Sequence, residues 1–93
     1  MKTRLLKRLR KQAKKDVFLC ILGDGEFAVR SKIGWYSKSM IEYYHFSKRF
    51  GNAVHYHQLH DAKKILDDAR RLYMWKQLME LKRKKYKKIL KKL

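Results

Sequence analysis

The sequence predicts an α+β domain: a small three-stranded antiparallel sheet, made of a β-hairpin plus a third strand, packed on a long basic C-terminal helix, with a short basic helix at the N-terminus. Three observations carry this. Two strand-like segments flank Gly23-Asp24-Gly25, a third alternating segment occupies 53–57, and no Gly or Pro follows Gly51 to interrupt a helix running to the C-terminus.

Taken in order, residues 2–15 place Leu5, Leu6, Leu9 and Ala13 at helical spacing with Lys and Arg over the other faces, a short basic helix ordered alone or by a partner. After Asp16, Val17-Phe18-Leu19-Cys20-Ile21-Leu22 is a continuous apolar run, short for a helix and rich in strand formers, which reads as a buried strand. Asp24-Gly25 accepts the positive φ of a tight hairpin turn, and Glu26-Phe27-Ala28-Val29-Arg30 alternates as a half-buried strand does. Trp35-Tyr36 reads as extended and 38–44 as a short helix or irregular loop. In 53–57, Val54 and Tyr56 fall on one strand face and His55 and His57 on the other, giving the third strand. Asp61 is placed to cap the following helix, and Ala62, Ile65, Leu66, Ala69, Leu72 and Tyr73 mark an apolar stripe that should cover one face of the sheet.

Uninterrupted, that helix would be roughly 50 Å long, beyond the reach of three strands. Unless it bends near 74–77, its distal half must meet a symmetry mate in a homodimer, the N-terminal helix or a polyanion. The organisation expected is a basic arm over 1–15, a compact core over 16–76 and a basic helical extension over 77–93.

Composition narrows function. Ninety-three residues make one small domain with little room for an enzyme's substrate cleft, and 45% hydrophobic with 13% aromatic residues is too apolar for simple disorder. The balance of 26 Lys plus Arg against 8 Asp plus Glu, a net charge of +18, favours a polyanionic partner. Eighteen of the 26 are Lys, which suits diffuse phosphate contact better than planar base readout. Cys20 is the only cysteine and the basic N-terminus lacks the apolar stretch of a signal peptide, so a cytoplasmic location is expected. Cys20 itself reads as a small buried hydrophobe.

The binding residues expected are Lys7, Arg8, Arg10, Lys11, Lys14 and Lys15 on the N-terminal helix and Lys82, Arg83, Lys84, Lys85, Lys87, Lys88, Lys91 and Lys92 on the C-terminal one. Leu81, Tyr86, Ile89, Leu90 and Leu93 thread the second group, so an acidic protein partner or an anionic membrane surface ranks behind RNA or DNA. Among the clustered aromatics, Trp35, Phe46 and Phe50 read as core. Tyr43 and Tyr44 are neighbours that cannot both be buried, so one of them is a stacking candidate.

His55 and His57 share a face and His60 could approach from the turn, but Cys20 lies on another strand, no acidic ligand is expected alongside and no zinc-finger spacing occurs. Metal binding is therefore not expected, and the histidines read as neutral hydrogen-bonding groups near phosphate that gain charge as pH falls. Asp67 and Asp68 diverge on a helix, and no Gly-rich phosphate loop or nucleophile elbow occurs. A nuclease built on Glu26, Glu42 or a histidine ranks well below a binding role, and no cofactor is implied.

The order of strand, Gly turn, strand, aromatic, Ala-x-x-aromatic strand and helix opening with an acidic residue and Ala is carried by residues 18–22, Gly25-Glu26-Phe27-Ala28-Val29, Trp35, Ala53-Val54-His55-Tyr56 and Asp61-Ala62-Lys63-Lys64-Ile65-Leu66. Over 17–68 the chain thereby resembles small single-domain proteins of bacteriophages and their Gram-positive hosts. The resemblance implies a hairpin-plus-helix scaffold and a phage or mobile-element origin, and it carries no catalytic residue. The function expected is non-enzymatic, largely sequence-independent nucleic-acid binding. The alternative is a phage-encoded modulator that docks on a host protein or ribonucleoprotein.

Overall fold

The computed structural model describes residues 2–39, 43–51 and 53–92. Glu42, Leu93 and the middle of the segment expected as helix or loop over 38–44 lie outside them. The order of elements is α1 (Lys2–Asp16), β1 (Val17–Ile21), β2 (Phe27–Ser31), β3 (Gly34–Lys38), β4 (Tyr44–Ser47), β5 (His55–Tyr56) and α2 (Leu59–Lys92). The fold is α+β, with an antiparallel sheet between a short N-terminal helix and a long C-terminal one.

The hairpin forms where its turn residues require it. β1 and β2 pair from Val17↔Ser31 to Ile21↔Phe27, and the Asp24 carboxylate accepts from the Glu26 amide at 3.0 Å while Gly25 takes φ 86°. Among the described residues the sheet is larger than expected, with five strands in place of three. β3 and β4 form a second hairpin, pairing Trp35↔Ser47 through Lys38↔Tyr44, so of the segment expected as helix or loop over 38–44, Lys38 and Tyr44 are strand ends and Ser39 and Tyr43 are irregular.

β3 stays beside β2 only at Arg30↔Trp35 and Ser31↔Gly34 and then splays away. The segment expected as the third strand fills the fork. Phe27↔Tyr56 and Ala28↔His55 join it to β2, while Ser37↔Ala53 and a hydrogen bond from the Val54 amide to the Tyr36 carbonyl at 3.0 Å join it to β3. Small side chains permit this close approach: Ala28, Ser37 and Ala53 are all buried, and the Ser37 hydroxyl is satisfied by the Trp35 carbonyl at 3.0 Å.

α2 starts two residues before Asp61, which sits in its first turn and complements the helix dipole. Its stripe covers the sheet as expected: Ala62, Ala69 and Tyr73 are buried, and Ile65, Leu66 and Leu72 pack around the core with Leu19 and Phe46. The core does not begin at Val17, however. Leu9 and Ala13 of α1 are buried too, because α1 lies on α2 and its two inward positions fall at i and i+4. The helix of 34 residues is uninterrupted, about 51 Å of rise, and sets the 54 Å long axis of the molecule. No described helix is long and apolar enough to cross a membrane.

Candidate nucleic-acid interface

The two cation-bearing helices are fixed to each other by a polar clasp. Asp16, the last residue of α1, is buried; its carboxylate accepts from the Tyr73 hydroxyl at 2.8 Å and Gln12 Nε2 at 2.9 Å, with Lys32 Nζ at 3.4 Å. Burial alone would push this carboxyl up, but the bonds from Gln12, Tyr73 and Lys32 outweigh it and hold it below the ordinary carboxylate range. Burial and the bond to Asp16 push the Tyr73 hydroxyl up to about 12. Tyr36, buried among Tyr44, Tyr56 and the field of Asp68, is likewise raised to about 12 by burial first. Arg70 completes the clasp, its Nε donating to the Val17 carbonyl at 3.1 Å and an Nη to the Lys14 carbonyl at 3.4 Å. A guanidinium thus meets carbonyls that the end of α1 leaves without helical partners.

Held this way, α1 turns Leu9 and Ala13 inward and Lys7, Arg8, Arg10, Lys11, Lys14 and Lys15 outward, all six exposed. The cleft between the helices gathers Arg10, Lys14, Arg70 and Arg71 against one carboxylate, Asp67, over Ala13 and Met74. Arg70 and Arg71 were not among the residues expected from sequence.

Beyond the clasp, α2 outruns the sheet. Every residue over 80–92 is exposed, among them Lys82, Arg83, Lys84, Lys85, Lys87, Lys88, Lys91 and Lys92. Arg83 meets Glu80 at 3.5 Å; none of the other thirteen expected binding cations forms an ion pair among the described residues. The apolar side chains of this stretch are equally uncovered: Tyr86 is 67% exposed and Leu90 66%. Trp75, at the root of the projection and also absent from the sequence-based set, is 57% exposed.

The aromatic candidates separate. Tyr44 stacks on buried Tyr36 with centroids 5.3 Å apart, and Lys38 Nζ lies 5.8 Å from its ring centre, so it belongs to the packing of the β3–β4 hairpin. Tyr43 is more exposed and stacks on His45 at 5.2 Å. Phe46 packs on the core and Trp35 is half-buried under Arg30, but Phe50 is an exposed ring set edge-on to Trp35, because its loop lies outside the sheet. Cys20 is only half-buried, on β1 opposite Ala28.

His57 lies just past the end of β5 and not on the strand face expected for it, yet it and His55 turn to one place, and an acidic group does sit beside them. The β1–β2 turn delivers Glu26 to that face, where one carboxylate oxygen meets His55 Nδ1 and the other meets His57 Nε2 at 2.9 Å. Among the described residues no group of three His, Cys, Asp or Glu has the arrangement to hold a metal ion. Compared with family models, curated proteins and solved structures, the chain matches none.

Proposed function

We propose that this protein binds RNA or DNA without catalysis and largely without regard to sequence, through the outward faces of α1 and the projecting end of α2. One observation carries the reading: fourteen Lys and Arg on two helices are exposed, thirteen of them with no acidic partner among the described residues. Such an array lowers its own repulsion by displacing counterions from a polyanion, which makes binding steeply salt-dependent and indifferent to base identity. The cleft arginines give the array a fixed centre, since Arg70 is held by two backbone carbonyls while Arg10, Lys14 and Arg71 stay exposed around it.

The test is titration of generic oligonucleotides against salt. Affinity falls by orders of magnitude between about 50 and 200 mM monovalent salt. Replacing Lys84, Lys85, Lys87 and Lys88 together by Gln keeps the helix while removing four charges, so the melting temperature holds or rises and the salt slope drops by about one for each phosphate no longer neutralised. Affinity that barely responds to salt, or survives in this variant, refutes the electrostatic mechanism; salt-insensitive binding points to a packed protein interface instead.

A further inference from the structure

Along α2 one solvent-facing side changes character at Trp75. Lys64, Asp68 and Arg71 occupy it in the first half, charged and exposed as a free helix face should be. From Trp75 onward the same side presents Trp75, Met79, Tyr86, Ile89 and Leu90, the last three and Trp75 exposed. This is not the core stripe continued, because Trp75 stands six residues beyond Ala69, about 240° around the helix. Trp75 and Tyr86 are eleven residues apart, hence on one line about 16 Å long. Ile33, from the turn between β2 and β3, closes a groove beside them whose rim carries Lys76, Lys82 and Arg83 against one carboxylate, Glu80, which meets Arg83 at 3.5 Å.

The occupant is constrained by charge and by pattern. A second copy would bring two segments of eight cations and one Glu together, so self-association is opposed by like-charge repulsion. An acidic protein helix or a membrane surface fits best against an unbroken apolar stripe, but Lys82 stands in the middle of this one, between Trp75 and Tyr86. Aromatic rings alternating with cations are what a single strand needs, since its unpaired bases present ring faces and its phosphates lie between them.

Resting on the nucleic-acid reading, we infer that the ligand class is single-stranded RNA or DNA, stacked on Trp75 and Tyr86 with its phosphates held by Lys76, Lys82 and Arg83. At stacked spacing the line between the two rings spans about five nucleotides. Duplex, whose bases are stacked on one another, reaches the cations but not the rings.

The experiment compares a single-stranded homopyrimidine oligonucleotide of about 20 nucleotides with a duplex of equal length, at one salt concentration, on the full chain. The expected result is tighter binding of the single strand. Trp75→Ala and Tyr86→Ala each cost roughly tenfold to hundredfold on the single strand and little on the duplex, and Trp75→Phe restores most of the loss. Both rings are exposed, so the variants keep the wild-type melting curve. A Trp35→Phe background leaves Trp75 as the sole tryptophan, and its emission falls as the single strand is added. Equal losses on both ligands, or none on the single strand, overturn this inference while leaving general polyanion binding intact. Absence of binding to either oligonucleotide overturns both readings. Trp75 emission that responds to phosphatidylserine vesicles and not to single strands assigns the stripe to a membrane surface, and a dimer abolished by Trp75→Ala assigns it to a second copy; either rejects the inference.

Discussion

Replacing Tyr73 by Phe removes one atom from the clasp that joins α1 to α2. The hydroxyl donates 2.8 Å to Asp16 Oδ2, and both residues are almost fully buried, 2% and 5% exposed. Gln12 and Lys32 keep their places on the carboxylate, so the charge is weakened in its support rather than stranded. A hydrogen bond to a buried charge is worth about 1.5–3 kcal/mol, and with two partners remaining the loss should be about 2 kcal/mol near pH 7. The sign of the pH dependence follows from the carboxyl being held below its ordinary value. Its contribution is complete above the ordinary value of 3.8 and is lost as pH falls through the lower folded value, so the difference between wild type and variant should shrink on the acid side of 3.8.

At the alkaline end the sign reverses in pH. Tyr73 and Tyr36, each raised to about 12, contribute stability that is complete below about pH 10 and lost as pH rises toward 12. The variant keeps the Tyr36 part and that of Tyr56, also raised by burial, and should have the flatter alkaline limb. Urea unfolding followed by circular dichroism at several pH values measures all of this. Equal unfolding free energies, or a difference that stays constant as pH is lowered well below the ordinary carboxylate value of 3.8, would refute the hydrogen bond as the origin and leave ring packing in its place.

Leu9→Ala should cost about 2–4 kcal/mol in the same assay, and removal of residues 1–14 should abolish cooperative unfolding, because Leu9 and Ala13 are buried against α2; a truncated chain that unfolds as sharply as the whole would place α1 outside the core. Added monovalent salt should raise the melting temperature of the free protein, by screening repulsion among the exposed cations, while lowering its affinity for oligonucleotides; calorimetry and binding titration over one salt series must give opposite signs.

The parts of the fold written in local signals could be read directly. Asp24-Gly25 specifies its turn by backbone chemistry, and the period of Ala62, Ile65, Leu66, Ala69 and Tyr73 specifies a buried helix face, so the first hairpin and α2 follow from sequence. β4 and the fork at β5 depend on partners far along the chain. Ser37 looks like a surface residue, yet it is fully buried because its hydroxyl bonds within its own strand and its small size lets Ala53 approach. α1 carries two conflicting signals: eight cations describe an arm, while Leu9 and Ala13 describe a core helix, and packing on α2 satisfies both. The cations of the candidate interface were legible because charge is additive and needs no geometry. Arg70 and Arg71 fell within the stretch assigned to the core, and Trp75 at the position where a bend was allowed. The helical phase of Trp75, well away from Ala69, was the signal that could have placed it outside.

The distribution of acids explains why the cations lack acidic partners among the described residues. Asp16 is enclosed by Tyr73, Gln12 and Lys32, Glu26 by His55 and His57, and Asp24 by the hairpin turn. Asp61 sits in the first turn of α2, and Asp67 shares the cleft with four cations. Glu80 reaches Arg83 alone. Asp16, Glu26, Asp24 and Asp61 are thus committed to the clasp, the histidine pair, a turn and a helix start, Asp67 and Asp68 lie in the first half of α2, and among the described residues Glu80 alone lies along the projecting helix and none on the outward face of α1. Exposed pairs would in any case return less than about 1 kcal/mol each, too little to offset a surplus of eighteen charges. Under the proposed function, a closely spaced row of phosphates would meet many of these cations at once and release its own counterions in doing so. The same placement of acids that stabilises the fold therefore leaves both helices unneutralised, at the surfaces where the clasp holds them fixed relative to one another.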